Sequence, residues 1–106
     1  MKPPVNDATT AFLRAIGVNF VNLTVVIEEV RSRAWASATF GGARHELGLH
    51  ISGEGAEAAV ERFAATLDAR EFELRGHILA DIALVAKERV EGGVRLRLEA
   101  LTVEEC

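Results

Sequence analysis

The chain has 106 residues, 49% of them apolar, and a formal net charge of −4 at neutral pH. That length supports one domain with a single modest core, and the apolar content argues against disorder. The acidic balance disfavours a general polyanion binder, and five phenylalanines with one tryptophan leave little for a base-stacking platform, so nucleic acid is disfavoured as a partner.

Residues 1–6 contain Pro3-Pro4 and read as a disordered or extended lead, leaving 7–106 as a single α+β domain. No secretory core follows Lys2, and Asn19, Asn22 and Thr24 interrupt the one long apolar stretch, so the expectation is a cytoplasmic protein with no membrane segment. Ten of the twelve basic residues are arginine, which with abundant alanine gives a bacterial-like, GC-rich composition. Asn6 or Asp7 then offers an N-cap for a helix to about Ile16, with Phe12, Leu13 and Ile16 as its apolar stripe and Gly17 as its stop.

Residues 18–30 read as a strand, because they are β-branched and Val21, Leu23, Val25 and Ile27 share one parity. Phe20, Leu23, Ile27 and Val30 also fit helical spacing, the weaker alternative. Arg31-Ser32 turns the chain into a second strand, 33–40. Gly41-Gly42 then supplies the positive φ of a two-residue hairpin turn into a third, 43–51. That turn sets Ala34, Ala36 and Ala38 opposite Leu49, Leu47 and His45, and Trp35 opposite Gly48.

Ser52-Gly53-Glu54-Gly55 ends the strand and opens a helix over about 54–67, burying Ala56, Val60, Phe63, Ala64 and Leu67. A long strand, about 71–87, carries apolar or small residues at every even position from Phe72 to Ala86. Gly92-Gly93 leads through an odd loop, of three or five residues, into a last strand with Val94, Leu96, Leu98 and Ala100 on one face. The predicted order is α-β-β-β-α-β-β: a two-layer domain whose antiparallel five-stranded sheet carries two helices on one face, broadly ferredoxin-like in layering. No internal repeat is legible.

His77 and Asp81 place an imidazole and a carboxylate in an apolar strand and are the catalytic candidates, although strand rise separates them by roughly 13 Å. Lys87, Arg89, Arg95 and Arg97 share odd parity near the second hairpin tip and form the candidate binding set for a phosphate or carboxylate, a small anionic ligand. Leu79, Val85, Leu101 and Val103, with Ala83, extend that odd face as an apolar band and are the candidate interface of a twofold homodimer. His45 and His50, five apart in one strand, point to opposite faces and cannot share an ion; all three histidines read as surface or edge residues. One cysteine, Cys106, provides neither a disulfide nor zinc spacing, and Gly53-Glu54-Gly55 lacks the residues of a phosphate loop. No metal and no cofactor is therefore expected. The expected function is a non-catalytic self-associating or small-ligand-binding module rather than an enzyme. The alternative is a small enzyme or anionic-ligand site using His77 and Asp81 with Arg95 and Arg97.

Overall fold

The computed structural model describes residues 8–67, 74 and 76–104. The proline-containing lead, the proposed caps Asn6 and Asp7, the 68–70 connection, Phe72 and Cys106 lie outside the described residues. Helix α1 is Ala8–Gly17 and buries Ala8, Phe12 and Ile16 as one stripe. It ends at Gly17, as expected, although Gly17 keeps a right-handed φ of −59°. The chain tightens into a 3-10 turn, Val18–Phe20, whose Asn19 Nδ2 donates to the carbonyls of Ala15 and Ile16 at 3.3 and 3.1 Å. Those bonds satisfy carbonyls that a helix end otherwise leaves unpaired. Asn22 then adopts a left-handed φ of 70°, and only at Thr24 does a strand begin.

The sheet has four strands, not five: β1 Thr24–Ala36, β2 Gly41–Ser52, β3 His77–Val90 and β4 Gly93–Glu104, all antiparallel in the order β1-β2-β4-β3. Arg31-Ser32 makes no turn because β1 runs straight through it. The reversal falls at Ser37–Phe40, where Ser37 N donates to the Phe40 carbonyl at 2.7 Å and Ser37 Oγ accepts from Phe40 N at 3.1 Å. Gly41 and Gly42 therefore lie inside β2 with ordinary φ, and Trp35 faces Gly42 rather than Gly48. The second hairpin turns at Glu91-Gly92, two residues rather than three or five, with Gly92 at φ 85°. The odd residue that parity demanded sits instead in β3, as bulges at Ala80 and Val85.

Helix α2, Ala56–Ala65, starts after a left-handed Gly55 and buries Ala56, Ala59, Val60 and Phe63. Both helices pack on the sheet face formed by Leu47, Leu49 and Ile51 of β2 and Val94, Leu96, Leu98 and Ala100 of β4. Burying a side chain the size of Phe12 or Phe63 contributes roughly 1.5–3 kcal/mol, and both are fully enclosed.

The order α1-β1-β2-α2-β3-β4 is two αββ units, and the repeat that was not legible in the sequence is plain in the register. A pseudo-twofold through the Leu47–Leu98 pair maps Gly42 onto Gly93, because Gly42 pairs with Val103 and Gly93 with Ser52. The same shift carries Gly41-Gly42-Ala43-Arg44 onto Gly92-Gly93-Val94-Arg95, Phe12 onto Phe63 and Ile16 onto Leu67. The two Gly-Gly pairs are thus equivalent positions of one motif.

Candidate functional site

Both helices lie on one side of the sheet, and among the described residues no helix covers the other side, the bare face, on any of the four strands. From β1 through β2 and β4 to β3, its successive rows are Trp35–Gly42–Val103–Ile78, Arg33–Arg44–Leu101–Asp81, Arg31–Glu46–Glu99–Ala83 and Glu29–Gly48–Arg97–Ala86, then Val26–His50–Arg95–Glu88. One end is apolar and the middle is charged. Ile78 and Val85 are about half exposed on this face.

The bulges redistribute the residues that parity alone would place together. Ala80 lies between His77 and Asp81, so His77 falls on the helix side, opposite Glu104, and Asp81 on the bare side, opposite Leu101. Leu79 likewise turns inward, opposite Thr102 and against the core, while Val85, Leu101 and Val103 stay on the bare face. Val85 shifts the register again. Lys87 and Arg89 point to the helix side, where Lys87 Nζ meets Glu61 at 2.7 Å and Arg89 Nε meets Glu57 at 2.7 Å. Arg95 and Arg97 point the other way.

Those two arginines are already partnered across the sheet. A bulge at Glu28 turns both Glu28 and Glu29 of β1 toward the bare face. Arg95 Nε donates to Glu28 Oε1 at 2.8 Å and its Nη2 to Oε2 at 3.3 Å; Arg97 Nη1 donates to Glu29 Oε1 at 2.8 Å. Glu29 also takes Arg31 Nε at 2.9 Å. The Arg95 hydrogen bond holds the Glu28 carboxyl below its ordinary value, and the Arg97 hydrogen bond does the same for Glu29. Each guanidinium is raised in turn by its carboxylate.

A second polar cluster lies under α1 and went unread in the sequence. His45 is 1% exposed, its ring 5.8 Å from that of Phe12. Its Nε2 meets Thr102 Oγ1 at 2.9 Å, and Thr102 donates to the Ala43 carbonyl at 3.3 Å, so the imidazole donates from Nε2. Nδ1 then accepts from the Ser32 hydroxyl at 2.9 Å, and Ser32 Oγ accepts in turn from the Thr9 hydroxyl at 2.6 Å. The signal was present: His45 shares parity with Leu47, Leu49 and Ile51 and had to be buried with them. His50 faces the bare side, as the five-residue spacing requires. The cluster pins α1 to β1, β2 and β4. Thr102→Val should cost about 1–3 kcal/mol by stranding a buried donor, while Thr102→Val with His45→Leu should cost less than the two single changes together. Urea titrations of the four proteins test this; strictly additive losses would remove the coupling.

Among the described residues, no group of three or more His, Cys, Asp or Glu could hold a metal ion, and no helix is long and apolar enough to cross a membrane. Comparison with protein-family models, curated proteins and solved structures finds no match for this chain.

Proposed function

We propose that the chain is a non-catalytic self-associating module, proposed on composition to be cytoplasmic, whose partner is a second copy docked through the bare face of the sheet. The observation that carries this is the apolar row Trp35–Gly42–Val103–Ile78, with Leu101 beside it, crossing a face that no helix among the described residues covers. Four strands of about a dozen residues give that face roughly 750 Å², close to the ~800 Å² per partner of a stable interface. Its charges nearly cancel, unlike the chain as a whole at −4, so two such faces approach with little repulsion. The alternative acid–base site receives no such support, since His77 and Asp81 occupy opposite faces.

Light scattering and sedimentation equilibrium should show a dimer at micromolar concentration. Ile78→Glu with Val103→Glu should weaken it by about a hundredfold or more, because each charge is desolvated in the interface. Trp35 is the one tryptophan, so its emission should shift to the red as the dimer dissociates. A monomer at high micromolar concentration would remove the proposal.

A further inference from the structure

The centre of the bare face is built in a way that self-association does not require. β1 and β3 each insert an extra residue at one level of the sheet, Glu28 and Val85, flanking the row Glu29–Gly48–Arg97–Ala86. Bulges re-aim side chains and concentrate beside binding sites, and glycine inside a strand can mark the close approach of a ligand. Between the bulges, Gly48 and Ala86 contribute almost no side chain. The result is a depression of about 270 Å³, whose charged lining is Glu28, Glu29, Glu88, Arg95 and Arg97.

That lining excludes simple ligands of either sign. An anion attracted by the two arginines meets three carboxylates, and a cation attracted by the carboxylates meets two guanidiniums. A molecule carrying both charges meets both demands. Arg97 has five N–H donors and directs one, on Nη1, at Glu29, so its fork can also take a ligand carboxylate. Glu88 stands 4.0 Å from Arg95, looser than the Glu28 contact, and can receive an ammonium group. Ala86 provides apolar surface between the charges. That volume is many times what a single water requires and admits a molecule on the scale of a free amino acid.

We propose that this depression is a binding site for a small zwitterion of the α-amino-acid class, its carboxylate on Arg97 and its ammonium among Glu88 and Glu28. The proposal goes beyond self-association; because the depression lies on the face that a second copy would cover, leucine is titrated into both the intact protein and the Ile78→Glu/Val103→Glu protein, which keeps the two ideas distinguishable.

L-Leucine serves as the probe, with 4-methylpentanoate lacking its amine and 3-methylbutylamine lacking its carboxylate. In amide-detected NMR titrations of the intact protein, leucine should shift the Gly48 amide and the Arg97 Nε–H saturably. Either singly charged analogue should bind at least about tenfold more weakly, the scale of one lost charge-assisted contact. Arg97→Gln should weaken leucine by a similar factor and leave 3-methylbutylamine unchanged. Gly48→Val should abolish binding by filling the depression; Ala86→Leu, on an exposed edge position, does the same without touching a central strand. Absence of saturable shifts in both proteins, equal binding of all three probes, or unchanged leucine binding in Ala86→Leu overturns the proposal. Light scattering on the same samples separates the two ideas: a monomer that binds leucine keeps this site and loses the dimer, and a dimer that ignores leucine, as its Ile78→Glu/Val103→Glu variant also does, does the reverse.

Discussion

Gly42→Val lowers stability by about 3 kcal/mol or more, or prevents folding, whereas Gly41→Ala, one residue away, stays within about 0.5 kcal/mol. A Cβ on Gly42 would overlap the backbone carbonyl of Thr102 and lie 2.9 Å from Cζ2 of the Trp35 ring. The carbonyl cannot swing away without breaking the β2–β4 ladder at the middle of the sheet. At Gly41 the nearest obstacle is the flexible end of Glu104, at an ordinary 3.5 Å. Neither glycine has a positive φ, so the difference is one of space and not of backbone strain. The pseudo-twofold extends the expectation: Gly93, the equivalent of Gly42, meets the Ile51 carbonyl in the same way, and Gly93→Val should be as damaging. Urea unfolding followed by circular dichroism measures all three. Equal losses at Gly41 and Gly42 would return the pair to the role of a turn.

Gly41-Gly42 also shows how far the sequence could be read. Glycine pairs suit hairpin turns, and between two alternating runs that is the natural reading. Here the turn chemistry is provided by Ser37, and the glycines serve a close approach between strands that no local pattern reveals. The turn expected at Arg31-Ser32 splits the first long strand in two and so yields a fifth strand, while the one expected at Gly41-Gly42 displaces the hairpin reversal. In β3 the even-position pattern is unbroken in the sequence, yet two bulges shift its faces. Ile82 and Leu84 keep the helix side that parity gave them, while Leu79, Lys87 and Arg89 join them from the other parity. Bulges follow from the partner strand and the sheet's twist, which one strand's composition does not report. The helical stripes of Phe12–Ile16 and Val60–Phe63, and the faces of β2 and β4, needed only their own periodicity and were legible.

The bare face was legible in part for the same reason. Arg95, Arg97, Leu101 and Val103 lie on β4, a strand without a bulge, and share the face that parity assigned them. Their partners Glu28 and Glu29 were not foreseen, because adjacent residues of a regular strand point opposite ways. Only the bulge lets both meet arginines of β4, two strands away. The arginines therefore present a mixed-charge surface rather than a cationic one, which moves the ligand expected there from an anion to a zwitterion.

Phe63→Ala should lower stability by about 3–5 kcal/mol, the range for truncating a fully buried phenylalanine. Phe63 sits where three parts of the fold converge. It lies on α2, its ring is tilted 54° against Phe20 at 5.3 Å, and it belongs to the core built on β2 and β4. Ten residues are too few for α2 to persist without tertiary packing, so the lost ring loosens the helix as well as opening a cavity. Amide exchange in α2 should accelerate more than exchange in β2 or β4, which retain their ladders. Phe40→Ala provides the contrast. That ring is 58% exposed in the first hairpin turn, and its removal should change stability by less than about 0.5 kcal/mol. The pseudo-twofold adds a sharper comparison, because Phe12 occupies the equivalent place on α1 and is equally buried. There the hydroxyl clasp of His45 ties the helix down independently. Phe12→Ala should therefore leave α1 exchange slower than Phe63→Ala leaves α2 exchange, even at similar loss of global stability. Equal acceleration in the two helices would mean that the clasp adds nothing to what the core supplies.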